Sequence, residues 1–222
     1  MRRVALDIET TGLDPSQGHR IVEIGCVELE NNYPTGKTFQ QYINPNRKMP
    51  EEAFKIHGLT NEFLYDKPIF FSIADKFLDF IEDSELVIHN AKFDLGFLNY
   101  ELDAASKKNL LEFKILDTLL LARKIFPGAA NNLDALCKRY HIDVTRRKKH
   151  GALLDAELLA DVFLEMNGGR QKDIGLKISK RKLLEKTFVS KELSYSKKII
   201  FADEKETQDH EKLLKLLKTN YW

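Results

Sequence analysis

The sequence predicts an α/β fold, a mixed five-stranded sheet flanked by helices, with a short tail beyond it. Three apolar stretches, residues 2–9, 20–30 and 37–43, follow one another with only short turns between them. From Pro50 onward the apolar residues take helical spacing, interrupted by two short runs that read as further strands. Strands in succession, then strands alternating with helices, describe a mixed sheet covered by helices.

Residues 2–9 read as a strand because Val4, Leu6 and Ile8 recur at every second position. The same alternation sends Asp7 and Glu9 together to the opposite face. Gly12, Pro15 and Gly18 turn the chain into the second strand, and the third follows at 37–43. Pro50 opens a helix that ends near His57-Gly58, and Ile69 to Glu82 has helical spacing. Glu85 to His89 is a short buried strand, followed by a helix from Ala91 to about Ala105. Ile115-Leu116-Asp117 ends a strand and leads into a helix that stops before Pro127-Gly128. Asn132 is suited to cap a helix over Leu133–Tyr140. Ala152 to Met166 is amphipathic, and Gly168-Gly169 ends it. That glycine pair is read as a domain boundary, with residues 1–169 as the main domain and 170–222 as linker and tail. The tail is expected to carry a Lys-rich helical segment around 178–187, a small strand Lys198–Phe201 and a last helix near 204–218.

A chain of 222 residues, 31% charged and 43% apolar, is long enough to bury one substantial core. No run approaches the roughly 18 apolar residues of a membrane span. The first strand begins within three residues, which leaves no room for a signal peptide. Cys26 and Cys137 are isolated, so neither a zinc site nor a disulfide framework is indicated, and a reducing cytoplasm is the expected location. The net charge of +1 conceals an asymmetry. Residues 171–222 hold 13 Lys/Arg against 8 Asp/Glu, leaving residues 1–170 with 22 against 26. An acidic body does not suit broad electrostatic capture of nucleic acid. It does suit contact with a short strand end where metal ions supply local positive charge.

Asp7-Ile8-Glu9 runs straight into Thr10-Thr11-Gly12. Two carboxylates held that close repel unless a cation or a proton lies between them. The threonine hydroxyls and the glycine backbone beside them suit close approach by a nucleotide. Asp94 ends His89-Asn90-Ala91-Lys92-Phe93-Asp94, and Asp155 stands five residues after His150. Four carboxylates and one histidine point to a divalent-metal site that cuts phosphodiester bonds. Oxygen donors select hard cations, Mg²⁺ or Mn²⁺, and two such ions about 3.5–4 Å apart can clamp an in-line displacement at phosphorus. Imidazole exchanges protons near neutrality, which suits His150 to take a proton from the attacking water. The basic run Arg146-Arg147-Lys148-Lys149 reads as a solvated loop face that can also touch backbone phosphates.

These three motifs, in this order and separation, resemble those of the DEDDh 3′–5′ exonucleases, and among them the proofreading (epsilon) subunits of bacterial DNA polymerase III. Glu52 to Leu59, Leu133 to Cys137 and Gly151 to Ala156 carry further likeness, which spans residues 4–169. The resemblance implies a ribonuclease-H-like fold with Asp7, Glu9, Asp94 and Asp155 as metal ligands and His150 as general base. By the same likeness Asp7 bridges two ions, Glu9 and Asp155 share one of them, and Asp94 reaches the other through water. Glu52 and His57 match positions that contact the terminal nucleotide of a single-stranded 3′ DNA end, beside Thr10. Leu13 and Phe93 are suited to pack against its bases, since stacking tolerates any base. Asn90 is read as holding the site loop together. The expected product is a nucleoside 5′-monophosphate.

The tail, from Lys198 to Glu204 and from His210 to Trp222, resembles the segment by which such subunits dock on the polymerase (alpha) subunit. Leu213, Leu214, Leu216, Leu217, Tyr221 and Trp222 give it much apolar surface for its length. Gln171 to Leu176 looks like a peptide for the replicative sliding clamp. Two rivals stay open from sequence: an RNA-trimming DEDDh enzyme, and a non-catalytic binding subunit built on the same scaffold.

Overall fold

The computed structural model describes residues 1–147, 149–169 and 202–216. The chain divides into two units, Met1–Ile174 and Gly175–Trp222. The first holds a five-stranded sheet with β1 (Arg2–Thr10), β2 (Ile21–Glu30), β3 (Tyr33–Tyr42), β4 (Glu85–Ile88) and β5 (Lys114–Asp117), in the order β3-β2-β1-β4-β5. β1 pairs antiparallel with β2 and parallel with β4, so it is the seam between an antiparallel ribbon and a parallel half. The helices are α1 (Glu51–His57), α2 (Asn61–Tyr65), α3 (Phe70–Ile81), α4 (Ala91–Ala104), α5 (Thr118–Ile125), α6 (Leu133–Arg139) and α7 (Ala152–Met166).

The alternation along β1 is real and serves two cores. Val4, Leu6 and Ile8 enter the larger one with Phe77 and Ile81 of α3 and Phe97 and Leu98 of α4. Ala5 faces the other way, packing with Val27, Val87 and the α7 residues Ala156, Leu159 and Phe163. Asp7 and Glu9 therefore lie on the face that α7 covers rather than on a solvent face. Burial of β1 from both sides makes it a continuous apolar strand at residues 4–6, each with no exposed surface.

Most predicted elements stand within a residue or two. Asn132 caps α6 by accepting the Ala135 amide. β3 begins at Tyr33, four residues before the predicted start, because Tyr33 and Pro34 continue the pairing with Glu30 and Leu29 across a bulge. The sequence reading passed over α2, whose five residues are too few to show a period; Thr60 caps it by accepting the Phe63 amide.

In the second unit a single helix, α8 (Glu204–Leu216), is described, with Glu204 and Glu206 in its first turn. The Lys-rich segment at 178–187, the strand Lys198–Phe201, the clamp-like peptide Gln171–Leu176 and residues Leu217, Tyr221 and Trp222 lie outside the described residues. Among the described residues no helix is long and apolar enough to cross a membrane. Cys26, at the centre of β2, and Cys137, on α6, are both free and buried, with 0% and 1% exposure.

Candidate active site

The four acids of the predicted set are placed by three different devices. Asp7 and Glu9 ride on β1 near its C-terminal end, beside the parallel neighbour β4. Asp94 lies in the first turn of α4, whose start is fixed by a residue that sequence reasoning missed. Asp117, at the end of β5, accepts the backbone amides of Asn90 and Ala91 and also those of Leu119 and Leu120. One carboxylate thus ties together the beginnings of α4 and α5. Asn90 takes a left-handed conformation, φ 67°, and the loop is held at its backbone rather than by its side chain.

Asp155 sits in the first turn of α7, and β2 positions that turn. The buried Glu23 accepts the Ala152 amide at 3.1 Å, taking the place of a side-chain N-cap that Gly151 cannot supply. Gly25 lets the helix start rest on the strand: a Cβ there would lie 2.2 Å from the backbone of Ala152 and Leu153. His150 is in the loop just before α7, its backbone amide bound to the Ile56 carbonyl of α1 at 3.3 Å.

Three of the five residues, Glu9, His150 and Asp155, come together, and Asp7 and Asp94 lie within electrostatic reach of them. Glu9, Asp94 and Asp155 are buried, and Asp7 keeps a small opening to solvent. Donor atoms of Glu9, His150 and Asp155 all lie within 4.8 Å of one another. His150 Nδ1 is 3.2 Å from Asp155 Oδ2, and its side chain is about half exposed. Burial, then the charges of Asp94, Glu9 and Asp155, hold the Asp7 carboxyl well above the usual carboxylate range. Burial first and Asp155 next push Glu9 up to about 8. Burial raises Asp94 to about 8 against the pull of backbone amides. Asp155 goes the other way: burial raises it, but the hydrogen bonds from His150 and Arg147 outweigh that and leave it low. Buried carboxylates crowded together retain protons unless positive charge lies among them. The donor set fits hard divalent cations, whose ligands are carboxylate oxygens with an imidazole at the rim.

Arg147 corrects the reading of the basic run as a solvated face. Its side chain is only 9% exposed. Nε lies 2.5 Å from Asp155 Oδ1 and Nη2 2.8 Å from Oδ2, a two-pronged grip. Nη1 reaches Asp134, and Nη2 is 2.8 Å from His150 Nδ1. Arg146 meets the expectation, exposed and 3.4 Å from Glu157, while Lys149 sits over the Phe54 ring of α1 at 4.8 Å.

Beside the acids runs a groove of about 470 Å³. Thr10, Leu13, Glu52, His57 and Phe93, the five residues expected to meet a nucleotide, all line it, and so does Glu9. Leu13 is 84% exposed at its mouth. Phe93 is braced by Phe97, ring centres 5.2 Å apart. His57 is buried; Nδ1 accepts the Leu59 amide at 3.0 Å, while Nε2 has no hydrogen bond of normal geometry. The threonine hydroxyls are engaged within the protein: Thr10 donates to the Gly12 carbonyl, and Thr11 accepts from the Arg20 amide. Gly12 itself answers to packing, since a Cβ there would lie 2.2 Å from the His19 ring.

Comparison with known proteins places this geometry in a family. The exonuclease family model of the RNase T type matches residues 4–163. DNA polymerase III subunit epsilon of Rickettsia conorii is 49% identical over 100% of this chain and 99% of its own length. The subunit of the same description from Escherichia coli K12 is 49% identical over 76% of this chain and 72% of its own. Among solved structures, Exonuclease X in complex with 5′-overhanging duplex DNA superposes with a TM-score of 0.59 at 25% identity, covering 75% of this chain and 90% of that one. The nuclease domain of a DEDDh enzyme bound to rAMP, at 19% identity and TM-score 0.65, shares the fold over 75% of this chain and 92% of that one. A strand that delivers two acids, two helix starts that deliver two more, and identity along the whole chain agree, and the chain belongs to the proofreading 3′–5′ exonuclease (epsilon) subunits of bacterial DNA polymerase III.

Proposed function

We propose that the chain hydrolyses the last phosphodiester of a single-stranded 3′ DNA end, at a site for two Mg²⁺ or Mn²⁺ ions, and releases nucleoside 5′-monophosphates. The observation that carries the reading is the approach of Glu9, His150 and Asp155 donor atoms to within 4.8 Å of one another, with Asp7 and Asp94 in electrostatic reach and Glu9 also lining the groove of Glu52 and His57. Asp7, Glu9, Asp94 and Asp155 would hold the ions, which when bound supply an acidified water and charge stabilisation for the leaving 3′ oxygen. Asp7 would serve both ions, and Asp94 would act through water.

The chain's own groups do the rest. His150, half exposed at the rim, takes the proton of the attacking water, while Asp155 orients its ring through Nδ1. Glu52, His57 and Thr10 grip the terminal nucleotide, and Leu13 and Phe93 lie against its base without regard to identity. A proofreader needs that indifference, and a frayed mismatch reaches the groove more readily than a paired end. In this reading residues 1–169 form the exonuclease domain. Residues 170–222 are linker and tail, with the region from Lys198 onward docking on the alpha subunit and Gln171–Leu176 addressing the sliding clamp. The cytoplasm follows as the location.

The test is an assay of metal-stripped protein on 5′-labelled single-stranded DNA and matched RNA, with and without added Mg²⁺ or Mn²⁺. Metal-dependent release of mononucleotides from DNA is expected, with His150→Ala slower by about 10²–10⁴-fold. Equal activity of His150→Ala would remove that residue from the role of base, and preference for RNA ends would replace the substrate.

A further inference from the structure

We infer that Arg147 is the built-in counter-cation of the carboxylate cluster, a positioning residue that holds Asp155 and His150 in the metal-free protein and yields them when divalent ions enter. The inference rests on the metal-dependent reading above and extends it to a residue outside the acidic set.

The geometry sets Arg147 in competition with a metal. Its fork engages both oxygens of Asp155, at 2.5 and 2.8 Å. Asp155 also offers one oxygen to the trio, with Glu9 and His150, whose donor atoms come within 4.8 Å of one another. A divalent ion accepted there meets a guanidinium already seated on one of its ligands, and like charges in a buried site repel strongly.

Arg147 constrains the histidine as well. Nη2 lies 2.8 Å from His150 Nδ1, and Asp155 Oδ2 lies 3.2 Å from the same nitrogen. The same Nη2 is 3.4 Å from His150 Nε2, so the guanidinium lies over the face of the ring and leaves Nδ1–H free to donate to Asp155. Asp134 makes withdrawal feasible: it already holds Nη1 and is 65% exposed, so the freed guanidinium keeps a partner.

Calorimetric titration of MnCl₂ into the metal-stripped full chain at one fixed pH tests this. Arg147→Gln should bind Mn²⁺ tighter than wild type by about fivefold or more, a normal size for coupling between two ligands. Arg147→Lys, which keeps the charge, should stay close to wild type. Asp134→Asn, an exposed change that leaves the core intact, should weaken Mn²⁺ binding, because Arg147 then has only Asp155 and His150 to hold. A purely structural arginine predicts that Arg147→Gln and Asp134→Asn shift affinity in the same direction. That result, or unchanged affinity in Asp134→Asn, overturns the inference even if Arg147→Gln does not fold. Failure of wild-type protein to bind Mn²⁺ at all would instead sink the metal-site reading, and the two failures are distinct.

Discussion

Glu9 and Asp94, each pushed up to about 8, hold protons at neutral pH that the same side chains in an unfolded chain release near pH 4. Asp7 is raised with them. Between about pH 4 and 8 the folded state therefore binds more protons than the unfolded one, and stability from these groups falls as pH rises. His57 and His89, kept low chiefly by burial, act in the opposite sense below about pH 6.5, where their unfolded counterparts become charged. The melting temperature of metal-stripped protein should accordingly drop between about pH 7 and 8.5, and saturating Mg²⁺ should flatten the drop because ligation needs ionised carboxylates. Scanning calorimetry in matched buffers measures it; a melting temperature that climbs across that interval would contradict the assigned shifts. At this scale the sequence was informative where periodicity speaks. Alternation alone put Asp7 and Glu9 on one face, whereas Asp94, His150 and Asp155 were recognisable only through the spacing of their motifs. Arg147 was hidden, because four consecutive basic residues read as a hydrated surface and nothing local marks the one that turns inward.

At the scale of elements, the position of Asp155 depends on how closely α7 approaches β2. Gly25→Ala would set a methyl group 2.2 Å from the Ala152 and Leu153 backbone, which has no flexible end to move aside. The helix start must then shift outward and carry Asp155 with it. A loss of about 1–3 kcal/mol of stability, the usual cost of overpacking, is expected with a fall in turnover larger than the stability loss alone explains. Urea unfolding and single-turnover assays on the same preparation separate the two; a variant as active as wild type would show that the helix start tolerates displacement. Such supports resist reading from sequence. Helix and strand boundaries follow periods and punctuation, and most were legible, but Glu23 capping α7 and Asp117 binding two helix starts act across 129 and up to 27 residues of chain. No local pattern records a partner that distant.

Across the whole molecule, charge and sequence likeness divide the work. Residues 1–170 carry 22 basic against 26 acidic side chains, and the remaining 52 residues carry 13 against 8. In the function proposed above, contact is confined to a short strand end and leaves little for long-range attraction, so rates on short single strands should depend weakly on salt. A chain ending at residue 169 should keep mononucleotide release near the full-length rate while losing co-purification with the polymerase subunit. Retained co-purification would move the docking surface onto the exonuclease body. A mixed sheet flanked by helices was foreseeable from the order of strands and helices, whereas the burial of β1 on its second face under α7 was not. The bulge that extends β3 and the short α2 were not, because each depends on a register or a cap rather than on a repeat.

The two enclosed thiols have a practical consequence for kinetics. Cys26 is paired in register with Leu6 on one side and Phe39 on the other, in the middle of the sheet. Cys137 is on the inner face of α6, in the cluster with Leu158 and Val162 of α7. An alkylating reagent reaches the first only when the strands part, and the second when one short helix lifts. Mass-resolved labelling of the untouched wild-type chain thus provides two independent clocks, one for global unfolding and one for breathing of the helical layer that carries Asp155.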